Sequence, residues 1–205
     1  MNHKVLNVSE LHRYAKELFD RSVVGGGDSS ADTIISNLGE GIQILKNTWK
    51  GKDAGVQIQN VVTVYNGMVA LRNELAVLAA STTKIAADYR EIQNMNGVRG
   101  ESLVTVSADS KTIMDDYSDT RDTVDITAEA NNGRMKIESA KNGLERFEVE
   151  VRNSLTEIMN NWQAGSGRDK AVELFDGFQS QVGKYKSVLG EVSQSIATAI
   201  QNYSL

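Results

Sequence analysis

Two tryptophans 113 residues apart (162 minus 49) close the same hydrophobic pattern, and that repetition limits the folds open to this chain. Before Trp49, apolar residues stand at minus 4, 7, 11 and 15, as Leu45, Ile42, Leu38 and Ile34. Before Trp162, the same four offsets hold Ile158, Leu155, Val151 and Phe147. Steps of three and four put each set on one face of a helix. A glycine-bearing turn follows each tryptophan, Trp49-Lys50-Gly51-Lys52 in one copy and Trp162-Gln163-Ala164-Gly165-Ser166-Gly167 in the other. The helical pattern then resumes at plus 13, 16 and 20 with Val62, Tyr65 and Val69, or Phe175, Phe178 and Val182. Beyond that the copies slip by one residue, so that the last aromatics are Tyr89 and Tyr203. The period is too long for a solenoid repeat and fits two covalently joined helical hairpins.

The composition agrees with long helices. There is no proline in 205 residues, and a proline inside a helix costs about 3 kcal/mol. The absence of cysteine excludes disulfides and thiolate chemistry. A formal charge of -5 with scattered basic residues argues against a nucleic-acid partner. Residues 1–20 carry Lys4, Glu10, Arg13, Lys16 and Glu17, so they lack the apolar core of a signal peptide. The most apolar stretch, Val61 to Ala80, is interrupted by Asn66, Arg72, Asn73 and Glu74; it reads as a buried helix, and a membrane span is not expected. The only histidines are His3 and His12, and no nucleophile and base pair can be named. We therefore expect no enzyme, no catalytic residue, no cofactor and no metal site.

Taken in order, the pattern predicts a short N-terminal helix at about 8–23, started by Ser9 and Glu10 with Leu11, Tyr14 and Leu18 on one face. The Gly25-Gly26-Gly27 run breaks it, and Asp28, Ser29 or Ser30 can cap the next helix. This glycine loop lacks the Lys-Ser/Thr of a phosphate-binding loop and is read as a linker. A second helix is expected at 31–48 and a third at 53–95. Val56 to Tyr65 alternates like a strand, but the helical pattern runs on to Ile92, far beyond strand length. Residues 96–118 lose periodicity and form a connector, in which Leu103 to Val106 could be a short extended piece. From about Asp119 the helical face returns as far as Trp162, and a last helix is expected from Arg168 to about Asn202. The acidic run from Asp115 to Asp125 lacks the glycine and terminal glutamate of a calcium loop. It is read as carboxylates meeting the positive end of a helix dipole. The expected architecture is all-α, two long hairpins forming an elongated antiparallel four-helix bundle with a short extra N-terminal helix. The first hairpin with its N-terminal helix occupies 1–95 and the second 119–205.

A hairpin of two long amphipathic helices joined at Trp-x-Gly resembles the WXG family of small proteins exported by type VII secretion, the early secreted antigen-like proteins. Trp49-Lys50-Gly51 matches the motif as it stands, and Trp162-Gln163-Ala164-Gly165 is a variant one residue longer. The resemblance spans both halves, like a tandem fusion. It marks Trp49, Gly51, Trp162 and Gly165 as the hairpin-turn residues. It implies a head-to-tail pairing that a tandem chain makes within itself, as a monomeric pseudo-dimer; one tether replaces a bimolecular equilibrium by an effective concentration of about millimolar. It also implies a membrane ATPase of the FtsK/SpoIIIE type as a partner, a co-secreted effector as another, and a secreted, virulence-associated protein. The family's usual Tyr-x-x-x-Asp/Glu signal is not present, since Tyr89 is followed four residues on by Gln93 and Tyr117 by Arg121. A degenerate signal, a carrier, or a cytoplasmic chaperone or adaptor role all remain open.

Two readings of the tryptophans stand side by side: each closes its own hairpin by filling the space between helix ends, or each is an interface hot spot. A membrane-active toxin is the alternative from another class, because long amphipathic helices can refold onto bilayers. The polar faces mix acidic, basic and amide residues instead of concentrating Lys and Arg, which favours a protein-binding bundle.

Overall fold

The computed structural model describes residues 4–203. Helix dominates. The strand β1 (Lys4–Val5) leads into α1 (Val8–Glu17), which continues as a π-helical turn over Leu18–Val23. After the glycine loop come α2 (Ala31–Thr48), β2 (Trp49–Lys50) and α3 (Lys52–Met95). The second half holds β3 (Asp125–Ile126), α4 (Ala130–Asn161), β4 (Trp162–Ala164) and α5 (Ser166–Tyr203). At 1.5 Å per residue, α3 is roughly 66 Å long.

Local chemistry explains the boundaries. Asn7, not Ser9, caps α1, its side chain accepting from the Glu10 N–H at 3.1 Å. Ser30 caps α2 by accepting from the Thr33 N–H at 3.2 Å. Such caps satisfy main-chain donors that the first helical turn leaves free. α3 stays helical through its β-branched stretch because Ile58, Val61, Val62 and Val64 are all buried, so packing outweighs local preference.

Both α1 and α2 pack on α3 and α4, while α5 packs on α3 and α4 as well. α1 thus takes the same two neighbours as α2 and is an integral part of the packing. One core runs through all five helices, including Leu11, Leu38, Ile58, Leu75, Leu144, Phe147, Phe178 and Ile196. Phe147 and Phe178 meet with ring centroids 5.5 Å apart, a favourable tilted geometry.

One expected element is displaced. The second half's first helix begins at Ala130, eleven residues after the Asp119 expected from the sequence. The acidic run is therefore not a helix start. Asp119 accepts the Gly51 N–H at 3.1 Å and is ion-paired with Arg121, Asp116 accepts from Gln59 at 2.8 Å, and Asp122 pairs with Lys52. These carboxylates fasten the chain to the first Trp turn and to α3. Leu103 to Val106 forms no strand.

Candidate functional site

The two Trp turns share one backbone design. Trp49 and Trp162 leave their helices in extended conformation, with φ/ψ of -136/123 and -132/105. Gly51 follows with φ 113 and Gly165 with φ 130, a region that favours glycine. The helix after each turn opens with an equivalent bond, Gly55 N–H to Gly51 O at 2.9 Å and Asp169 N–H to Gly165 O at 3.1 Å. The glycines lie 114 residues apart (165 minus 51), so the slip between the copies falls inside the turn, earlier than the sequence pattern places it.

Each turn is stitched to the other half of the chain. β2 pairs antiparallel with β3, Trp49 opposite Ile126, and β4 pairs antiparallel with β1, Trp162 opposite Val5. Two flanking bonds repeat the symmetry: Thr127 N–H to Thr48 O and Leu6 N–H to Asn161 O, both 3.0 Å. The turn of each half thus grips the residues that lead into the first helix of the other half. Both indoles are buried, Trp49 at 2% exposure and Trp162 at 0%. Trp162 lies so close to Gly167 that a Cβ there would overlap its ring. Trp49 borders a cavity of about 370 Å³ lined by Gln57, Gln194 and Asn202, and its indole N–H is buried without an acceptor among the described residues.

The connector is the feature whose structure the sequence did not disclose. From Arg99 to Thr120 it makes no main-chain to main-chain hydrogen bond among the described residues. Its main-chain partners are side chains instead, most of them on α3. Asn66 bonds both the N–H and the C=O of Met114, at 2.7 and 2.9 Å, and Asn73 does the same to Lys111, at 3.0 and 3.0 Å. Asn94 grips both groups of Gly100, at 3.2 and 2.8 Å. Gln59 accepts from the Tyr117 N–H at 2.6 Å, and Thr83 from the Val106 N–H at 3.2 Å. Gln59, Asn66 and Asn73 lie seven residues apart, hence on one face of α3, and Asn94 stands three heptads further on, where the face has turned by about 60° more. Seven helical residues rise about 10.5 Å, and three extended residues span about 10 Å. That match lets Asn66 and Asn73 meet Met114 and Lys111, three apart, and Gln59 meet Tyr117 three further on. A heptad of amides along a mostly apolar helix was the signal available in the sequence.

A buried cation anchors this strap. The Arg72 side chain is 0% exposed; it donates to Asp32 of α2 at 2.9 Å, and to the Asp109 carboxylate and main-chain oxygen of the strap at 2.6 and 2.5 Å. The guanidinium beside Asp109 holds that carboxyl below the usual carboxylate range. Asp119, at the strap's far end, is held well below that range by Arg121 and then by the Gly51 N–H. Each neutral hydrogen bond contributes about 1 kcal/mol net, whereas ordering one residue's backbone costs about 1–2 kcal/mol. The strap's side-chain bonds therefore offset only part of the cost of ordering it.

Of the histidines, His12 is half-buried with its Nε2 2.6 Å from Val104 O, and His3 lies outside the described residues. No described helix is long and apolar enough to cross a membrane. Comparison with protein-family models, with curated proteins and with solved structures finds no match.

Proposed function

We propose that this chain is a tandem WXG-like protein of a type VII secretion system, a non-enzymatic exported substrate or targeting partner that acts by protein–protein binding. In this reading, two hairpin modules form an antiparallel four-helix bundle in which α1 and α2 together, α3, α5 and α4 follow one another around the core. The pair reproduces within one chain the head-to-tail dimer that single hairpins of the family make. One observation carries the proposal: each Trp-x-Gly-type turn is hydrogen-bonded to the residues leading into the other half, with matching flanking bonds of 3.0 Å. Its partners are then an ATPase of the FtsK/SpoIIIE type and a co-secreted effector.

The deciding experiment is the distribution of the native protein between cell lysate and culture medium, in the source bacterium with and without that ATPase. Appearance in the medium only with the ATPase supports a secretion substrate. Retention in both strains removes export and leaves a cytoplasmic chaperone or adaptor for an effector. Leakage of dye from liposomes at neutral or acid pH would favour the membrane-active alternative instead.

A further inference from the structure

We infer that the amide face of α3 is a peptide-binding groove that reads main chain, filled in cis by the strap, and that it takes an extended segment of another polypeptide when the strap leaves. This inference does not depend on the secretory reading.

The observed occupant defines the ligand. Asn66, Asn73 and Asn94 each close a two-bond ring on one residue's N–H and C=O, so they recognise an extended backbone whatever its side chains. Helical ligands are excluded, because their main-chain groups bond internally. Side-chain selection is confined to the residues turned inward. Met114 and Tyr117, three apart, and Val106 pack against the core, while Val104 and Ile113 point to solvent at 67% and 68% exposure. The ligand class is therefore an extended segment with two apolar residues three apart, as Met114 and Tyr117 are, the period of polyproline II backbone.

Space and anchoring both allow exchange. Cavities flank the strap: one of about 570 Å³ lies against α2 beside Gly39, Ile44, Tyr65 and Met114, and one of about 460 Å³ lies beside Val56, Asn60 and Tyr117. The strap thus sits in a wider groove that it does not fill. Both of its ends stay tethered to the bundle, so its departure breaks side-chain bonds and leaves every helix intact.

The test uses the full-length protein and, as probe, a fluorescein-labelled peptide with the sequence of residues 103–119, read by anisotropy. The wild type binds it weakly, because its own strap competes at an effective concentration of about millimolar. Loosening the strap with Asp109→Ala and Met114→Ser, which leaves the ladder untouched, should tighten binding at least tenfold. Adding Asn66→Leu and Asn73→Leu should abolish that gain. A probe N-methylated at the positions of Lys111 and Met114 should not bind. The inference is overturned if the loosened variant, folded by circular dichroism, gains no affinity, or if the N-methylated probe binds equally well. Hydrogen exchange on the wild type supplies a check that needs no variant: amides of Lys111 and Met114 should exchange through an opening that spares α4 and α5. If they exchange only with global unfolding, the groove never opens and the inference fails.

Discussion

The two Trp turns have the same backbone and different supports. The second turn is closed by the chain's own helix ends: Trp162 lies flush on Gly167, and among the described residues its one partner strand is β1. The first turn carries a second layer. Its Gly51 N–H is capped by Asp119, the Lys52 N–H donates to Arg121 O at 3.0 Å, and a Cβ on Gly51 would overlap the Thr123 oxygen. Both halves carry long helices and a Trp turn, but the segment that joins the halves occurs once. That segment returns the chain along α3 so that β3 can meet β2, and the first turn became its anchor. Near symmetry in the helices therefore coexists with a one-sided attachment.

The largest expected effect tests the shared part of the design. Trp→Ala substitutions in cores cost about 3–5 kcal/mol, and both turns should show it. Trp162→Ala should fall at the upper end because its ring has Gly167 against it, and Trp49→Ala at the lower end because its site already borders a cavity. Denaturant unfolding of the two variants measures the difference; equal losses would mean that the cavity beside Trp49 does not relax. The glycines come next. A residue other than glycine at positive φ costs about 1–3 kcal/mol, and the φ of 130 at Gly165 sets that as the backbone cost of Gly165→Ala. Gly51→Ala adds the collision with Thr123 and should displace the strap's end, giving the larger drop in Tm. A larger drop for Gly165→Ala would show that the second turn is the more constrained one.

The helices were legible because burial sets their periodicity: the steps of three and four before each tryptophan are the residues that the core covers, and α2 begins and ends where the pattern says. The glycines of the turns were legible for a different reason, since their spacing from the tryptophans marks a backbone that side chains resist. The strap was not legible. Its inward residues fall three apart in two runs, 103 and 106, then 111, 114 and 117, with a step of five between the runs, which matches neither helix nor strand. Its main-chain hydrogen bonds go to side chains between 6 and 92 residues away that look like ordinary polar positions. Asn66, Arg72 and Asn73 read as interruptions of an apolar helix, whereas each holds a specific group of the strap. The acidic run misled because carboxylates near a returning helical pattern resemble a helix start. Tertiary pairing with Gly51, Lys52 and Gln59 decided their role, and no local rule carries that information.

The ladder supplies the next prediction. Asn66→Leu removes two hydrogen bonds to Met114 and should destabilise the chain by about 1–2 kcal/mol, given about 1 kcal/mol net per bond. In hydrogen exchange, protection should fall from Val106 to Tyr117 and hold at Trp162 and β4. A uniform loss over the whole chain would mean that the strap and the helices unfold as one unit, and would erase the distinction between the turns.

The smallest effect concerns acid. Asp109 and Asp119 both have folded-state pKa values below the ordinary carboxylate value of about 4. A group depressed on folding adds stability that is fully present above its unfolded pKa and is lost as pH falls toward the folded value. Between about pH 5 and pH 3, strap protection, corrected for intrinsic exchange rates, should therefore begin to fall while α4 and α5 keep theirs. Among the described residues the second turn has no carboxylate clamp of this kind on its glycine, so β4 should not follow the strap. Asp119→Asn removes the charge and should flatten the acid response at Gly51 and Lys52, leaving the response that Asp109 causes near Arg72. If β4 and the strap lose protection together in wild-type protein, acid acts on the bundle as a whole, and the one-sided attachment contributes nothing of its own to the response.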